Sequence, residues 1–397
     1  MSFVFTIVGS MLVLDALWWW ILARQTDSGI ARAMLGIFMG AQILCLLWLV
    51  ISRLMQTDTT RLLPKWAVTA SFIWHFVGLG AFAAIGLCAL PVALSAKLAA
   101  KSTRKPADAA SLPDRQSWTR REFLGFAVAA APPLFTLTLT GIALRQLDRF
   151  RVRRFEIAIP NLPKALDGVT IAQVSDMHVG RFTSGRVLEK MVATVNALET
   201  DLILLTGDLI NDSLVDLDHG LELARQMRAR FGLFLIEGNH DLIDNAPEFE
   251  RRVKASGIPF LLDESATVIV RGTPVQVLGL SWTRAHGANR DAAIRAAVRS
   301  LLQQRHDDMF AILLAHHPHA FDAAAEADVP LTLSGHTHGG QLMLNEQVGF
   351  GPAMFHYWSG LYEKGASKLI VSNGVGNWYP LRINAPAEIV HITLLPA

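Results

Sequence analysis

Cysteine is nearly absent. The 397-residue chain holds only Cys45 and Cys88, both inside apolar runs. Disulfides therefore do not hold the C-terminal part together, and the redox compartment stays open. Charge is thin as well: 36 Lys and Arg against 34 Asp and Glu leave a net charge of +2. Nothing in that balance calls for nucleic acid, and the basic stretch Arg145 to Arg154 reads instead as meeting lipid headgroups. No period of roughly 20–50 residues repeats, which excludes a solenoid or propeller array.

Apolar length is abundant. The chain is 51% hydrophobic with a mean hydropathy of +0.33. That content is concentrated before about Leu147, and the composition beyond it is globular. A membrane region followed by one folded domain of roughly 240 residues is expected, large enough for a substantial core. Four runs reach the roughly 18–20 apolar residues that span a bilayer as helix. They are Phe3–Ala23, Ala33–Ile51, Trp66–Leu94 and Phe123–Leu144. The expected organisation is three transmembrane helices in 1–96, a basic cytoplasmic connector in 97–122, a fourth transmembrane helix in 123–147 and a folded domain in 150–397.

Orientation follows from the connector. Lys97, Lys101, Arg104, Lys105, Arg115, Arg120 and Arg121 face only Asp108, Asp114 and Glu122, and such a loop prefers the cytoplasm. The pair Arg120-Arg121 before an apolar helix also resembles a twin-arginine export signal, set internally. Both readings carry the C-terminal domain out, which places a multi-pass protein in the inner (cytoplasmic) membrane with that domain on the extracytoplasmic side. Asp15 and His75 fall inside spans. A polar contact in the bundle interior is the plainer reading; a functional ionisable site is the sharper one.

The C-terminal domain alternates strands and helices, the pattern of an α/β layered fold. Apolar runs at Val169–Ser175, Leu202–Leu205, Gly232–Ile236, Phe310–Leu314 and Leu331–Ser334 each end in a polar cluster. Ligands bind α/β sheets at the carboxyl ends of strands, so five clusters can converge. They offer Asp176 and Asp208 as carboxylates, His178, His316, His336 and His338 as imidazoles, and Asn239 as an amide. This mixed nitrogen and oxygen set suits Mn, Fe, Zn or Co rather than a structural zinc. Seven ligands exceed one ion but suit two divalent ions if one carboxylate bridges them, an arrangement that can clamp a phosphoryl group.

The motifs Asp176-Met177-His178, Gly207-Asp208, Gly238-Asn239-His240-Asp241, Ala315-His316 and Gly335-His336-Thr337-His338 resemble the calcineurin-like metallophosphoesterase superfamily over roughly Phe155 to Leu395. Ser175, Gln341 and Pro380-Leu381-Arg382 resemble its membrane-linked or twin-arginine-exported bacterial branch. The resemblance implies a two-sheet sandwich flanked by helices. It further implies that Asp176, His178 and His338 hold one metal, that Asn239, His316 and His336 hold the second, and that Asp208 bridges. His240 would protonate the leaving oxygen, oriented by Asp241. His316 rather than His317 matches the ligand position, because it follows the apolar run by one residue. His219, His286, His306 and His391 read as surface or sheet residues.

Two departures bear on substrate. Gly207-Asp208-Leu209-Ile210-Asn211-Asp212 lacks the arginine that follows Gly-Asp in the serine/threonine phosphoprotein phosphatases. His240 stands where the UDP-diacylglucosamine hydrolases carry arginine. A phosphodiester or pyrophosphate substrate, lipid-linked or nucleotide-sugar-lipid, is expected beside the bilayer. A phosphodiesterase for soluble periplasmic nucleotides and a non-catalytic metal-binding sensor are the alternatives. The aromatic stretch Gln347–Tyr362 reads either as a packed flap or as a loop at the site mouth that meets lipid, and Trp282, Trp378 and Tyr379 pose the same choice.

Overall fold

The computed structural model describes residues 2–25, 28–55, 62–88, 95, 120–283, 285, 287–345 and 347–397. The chain divides into two compact units, Met1–Ala143 and Leu144–Ala397.

In the first unit, helices Ser2–Gln25 and Gly29–Leu54 are followed by a third apolar stretch, Lys65–Cys88, and by the helix Arg120–Leu147. Among the described residues, four segments are long and apolar enough to cross a membrane: Thr6–Arg24, Gly29–Ser52, Lys65–Cys88 and Gly125–Leu147. Residues 97–119 of the expected connector lie outside the described residues, and Arg120–Glu122 open the fourth helix. Asp15 and His75 meet in a buried cluster. Trp74 Nε1 donates to Asp15 Oδ1 (2.7 Å), His75 Nε2 lies 3.0 Å from Asp15 Oδ2, and His75 Nδ1 lies 2.8 Å from Ser71 O. The backbone is π-helical over Trp74–Gly78, where these two side chains leave it.

The second unit is a sandwich of two mixed sheets. One has the order β1 (Phe150–Ile159), β11 (Ala387–Pro396), β2 (Thr170–Val174), β3 (Leu202–Thr206), β4 (Gly232–Ile236). The other runs β5 (Glu264–Val270), β6 (Thr273–Gly279), β7 (Phe310–Leu314), β8 (Leu331–Ser334), β10 (Ser367–Val371), β9 (Gly360–Lys364). The two-residue period of a strand sorts side chains between layers. In β3, Leu202 and Leu204 join the core between the sheets, while Ile203 and Leu205 face helices Arg186–Ala197, Leu217–Gln226 and Ala246–Ala255. In β7, Phe310, Ile312 and Leu314 point inward, and Ala311 and Leu313 pack against helices Arg290–Leu301 and Ala320–Glu326. Strands with both faces buried need continuous apolar runs, which is why these segments stand out in the sequence.

β2, β3 and β4 are mutually parallel, as are β6, β7, β8 and β10. Their carboxyl ends lie at one edge of the sandwich, and the polar clusters follow there.

Candidate metal centre

The chain bends sharply after β2, β3 and β8. Asp176, His178, Asp208, His336 and His338 all have positive φ, between 44° and 73°. Non-glycine residues adopt that region at a cost, and such strain concentrates at functional sites. Close packing of the turns explains two glycines. A Cβ at Gly335 would collide with Ser175 Oγ and the Asp176 carboxylate, and one at Gly238 with the Asp208 carboxylate.

The bends bring the expected residues together. His178 Nε2 and His338 Nε2 are 2.9 Å apart. His338 Nε2 lies 3.2 Å from Asp176 Oδ1, and His178 Nε2 lies 3.5 Å from Asp208 Oδ2. His316 Nε2 faces the same Asp208 Oδ2 at 3.1 Å. His336 Nδ1 lies 2.8 Å from Asn239 Oδ1, and the His336 ring packs edge-on to His316 at 5.2 Å. Among the described residues, three groups have metal-binding spacing: Asp176, His178 and His338; Asp176, Asp208 and His316; His178, Asp208 and His240.

The adjacent histidines differ in their partners. His316 Nδ1 donates to Thr206 O (2.7 Å), which turns a buried Nε2 with no hydrogen-bond partner toward Asp208. His317 Nδ1 instead accepts from His319 N (3.2 Å), and its ring lies against His336 and Trp282. His219 and His306 are exposed, His391 is half-buried in β11, and His286 lies outside the described residues.

Charge is tightly balanced. Burial opposes ionisation of Asp176 and Asp208, yet the facing imidazoles outweigh it and hold both carboxyls below their ordinary range. Burial also disfavours protonation of His316, but Asp208 and Asp176 override it and push the ring up to about 10. His336, buried and beside His316, falls to about 3. Burial lowers His178, His240 and His338. The donor set fits divalent ions: converging Nε2 atoms, two ionised carboxylates, an amide oxygen and the orphaned Nε2 of His316, with no thiolate.

His240 stands at the edge of the cluster, its ring against His178 (4.6 Å) and Trp378 (5.5 Å). Here the expectation for Asp241 needs correcting. The Asp241 carboxylate accepts the backbone N–H of Ile210 (3.0 Å) and Gly238 (2.9 Å). The His240 ring is held by the Asn211 carbonyl, 2.6 Å from its Nδ1. Asp241 thus ties two strand-end loops together.

A sixth strand end went unread as part of the site. β10 leads into Asn373 and Gly374, and the loop beyond them is gathered by Arg382, which is fully buried. Its guanidinium donates to the carbonyls of Gly376 (2.7 Å), Asn373 (3.0 Å) and Ala385 (3.0 Å) and to Asn377 Oδ1 (2.7 Å). Its Nη2 also lies 2.9 Å from His338 Nδ1. The available signal was an arginine among Pro, Asn and Gly after an apolar run, which does not by itself point to the site.

Residues 169–340 match the calcineurin-like phosphoesterase family. The chain is 30% identical over 290 residues to an uncharacterized metallophosphoesterase, YkuE, of Bacillus subtilis, covering 70% of this chain and 97% of that one. It is 31% identical over 258 residues to the transmembrane protein with metallophosphoesterase domain of Danio rerio, covering 61% of this chain and 56% of that one. An uncharacterized metallophosphoesterase of Helicobacter pylori is 29% identical over 272 residues, 66% of this chain and 70% of that one. The chain belongs to the calcineurin-like metallophosphoesterase family. It is accordingly a hydrolase of phosphoric esters, from a family that uses divalent metals. Four apolar helices and a transmembrane relative support membrane association.

Proposed function

We propose that the protein is a membrane-anchored phosphoesterase working with two divalent ions (Mn, Fe, Zn or Co) on a phosphodiester or pyrophosphate, with lipid-linked substrates as the class that fits. The observation that carries this reading is that Asp208 Oδ2 is within reach of two imidazoles, His178 at 3.5 Å and His316 at 3.1 Å, so that Asp208 belongs to two groups of metal-binding spacing. Asp176, His178 and His338 would hold one ion, and Asn239, His316 and His336 the other, with Asp208 shared. When bound, such a pair supplies Lewis acidity toward phosphoryl oxygens and a water acidified toward hydroxide.

The remaining work falls to the chain. With Nδ1 committed to Asn211 O, His240 presents Nε2 to the site, the atom that can give a proton to the leaving oxygen. Asp241, Gly238 and Ile210 form the support that keeps His240 beside Asp208, whose Oδ1 accepts the His240 N–H at 2.8 Å. No arginine follows Asp208 to grip a terminal phosphate, which favours substrates substituted on both sides of the phosphorus. Tethering beside a bilayer favours lipid phosphates, and the basic connector favours an extracytoplasmic domain anchored in the inner membrane.

The test is hydrolysis by the purified full chain with Mn2+ of bis(p-nitrophenyl) phosphate, a bacterial lipid extract and soluble nucleotide diesters, each against Asp208→Asn and His240→Ala. Cleavage of the aryl diester and of a lipid phosphate is expected. No aryl diester cleavage, or activity indifferent to Asp208→Asn, refutes the enzyme mechanism; cleavage confined to nucleotides refutes the lipid assignment. A reporter fused after Ala397 that works only in the cytoplasm overturns the topology.

A further inference from the structure

The turn bearing His336 and His338 runs on into a loop whose apolar side chains divide in two. Met343, Gly351 and Tyr357 are buried, whereas Leu344 (79% exposed), Val348 (50%), Phe350 (41%) and Met354 (65%) face solvent. Elsewhere in this unit, large exposed apolar side chains such as Val215 and Ile269 stand singly. Single ones need no explanation; a cluster does.

The loop is built, not frayed. Leu344 N donates to Val348 O (2.8 Å) and Phe350 N to Leu342 O (3.0 Å), closing its tip. Where the chain returns, the Phe355 ring stands edge-on to His336 at 5.8 Å, and Thr337 Oγ1 donates to Trp358 O (2.6 Å). Both ends of the loop are therefore fixed at the metal centre. Trp378, 37% exposed against His240, adds a further apolar surface at the mouth.

The base of the same loop is tied to the end of the last apolar helix. Asn384 Nδ2 donates to Met343 O (3.0 Å) and Leu344 O (3.2 Å), while Asn384 N donates to Gln146 Oε1 (3.2 Å). Asn377 Nδ2 donates to Leu147 O (3.0 Å). Gln146 and Leu147 close the apolar segment Gly125–Leu147. The end of a spanning segment marks the membrane boundary, so one asparagine joins that boundary to the exposed loop. Arg145 and Arg149, both exposed, stand at the same end. Apolar side chains beside cations are what an interfacial lipid contact requires.

We propose that Leu342–Phe355 is a lipid-contacting loop: Leu344, Val348, Phe350 and Met354 enter the headgroup boundary of the bilayer while Arg145 and Arg149 meet lipid phosphates. The metal centre then opens at the membrane surface and takes phosphoesters whose apolar part stays in the lipid. This substrate consequence rests on the function proposed above; the lipid contact itself does not.

The experiment uses the full chain with C45A and C88A in nanodiscs of phosphatidylethanolamine and phosphatidylglycerol. An environment-sensitive fluorophore is placed at L344C, M354C or, as control, V215C. Blue-shifted emission quenched by nitroxide-bearing lipid is expected at 344 and 354 and absent at 215. Water-like emission at 344 and 354 overturns the proposal. So does a blue shift without lipid quenching, which would mean that the loop is covered by a second copy of the chain. A paired L344D/M354D variant should hydrolyse bis(p-nitrophenyl) phosphate at the wild-type rate but lose about tenfold or more on vesicle-embedded phosphodiester, given the apolar contact removed. Equal loss on both substrates overturns it. The fluorescence readout needs no turnover, so it is decided separately from the hydrolysis.

Discussion

Replacing Asp208 with asparagine tests the charge balance of the centre before any catalysis is measured. In the metal-free protein, the His316 ring is raised from an ordinary value near 6.5 to about 10, because Asp208 and Asp176 outweigh the burial that opposes its charge. A pKa raised by folding contributes stability that is fully present below the unfolded value and lost as pH rises through about 10. Asp208→Asn removes the nearer carboxylate, 3.1 Å away. Breaking one side of a buried pair costs about 3–5 kcal/mol, with His316 limiting the loss by shedding its proton. For a unit of this size that is a fall in melting temperature of about 6–15 °C at neutral pH, and the variant should lack the wild-type decline between neutral pH and 10. The same balance fixes the protons released on loading. Asp176 and Asp208 are already ionised, and burial keeps His178, His336 and His338 neutral, so only His316 must give one up. Calorimetric titration of chelator-treated protein with Mn2+ in buffers of different ionisation enthalpy should show release of about one proton per chain. Asp208→Asn should release almost none. Wild type releasing none, or the variant releasing as much, refutes the reasoning.

Three further outcomes follow from local geometry. His240→Ala should lower turnover of alkyl diesters by about 10²–10⁴-fold with metal content unchanged, and should cost far less for p-nitrophenolate, which departs without a proton. Gly335→Ala forces a Cβ onto Ser175 Oγ and Asp176; it should destabilise by about 1–3 kcal/mol and lower the bound metal measured by elemental analysis. Asp15→Ala strips the acceptor from Trp74 Nε1 and His75 Nε2; it should cost about 1–3 kcal/mol per group in detergent melts while leaving hydrolysis of a soluble diester unchanged.

The strand ends that carry chemistry were legible because their strands are buried on both faces and so read as short apolar runs. What the sequence hid lies where strands are less apolar. β1 begins at Phe150, inside the basic stretch, and its first half carries Arg151, Arg153 and Arg154. Arg151 and Arg153 pair with the buried Glu388 of β11 at 3.1 and 3.5 Å, so their charge is spent within the sheet rather than on lipid headgroups. The stretch Gln347–Tyr362 folds with a packed base and exposed apolar side chains, a division that the sequence pattern does not separate. Arg382 was legible only as part of the Pro380-Leu381-Arg382 motif and not as a group that gathers the site, because nothing local tells a guanidinium that gathers carbonyls from one that faces water.

The centre depends on loops that hold one another. Asp176 N donates to Gly207 O (3.0 Å) and His178 N to Asp208 O (3.0 Å), joining the ends of β2 and β3. Gly335 N donates to His316 O (3.1 Å), joining β7 to β8, and His336 N donates to Asp176 Oδ1 (3.1 Å), joining β8 to β2. Val375 N and Gly376 N donate to Ser175 O (3.0 Å) and Asp176 O (2.8 Å), closing the ring through the segment that Arg382 gathers. Left-handed residues cost of order 1–3 kcal/mol each and persist only when their surroundings over-determine them, which this ring of bonds is placed to do. Removing metal with a chelator should therefore leave the amides of Asp176, His178, Gly335, Val375 and Gly376 protected from hydrogen exchange. If their exchange rises to that of the exposed loop at Leu344, the ions rather than the backbone shape the site, and its preorganisation is disproved.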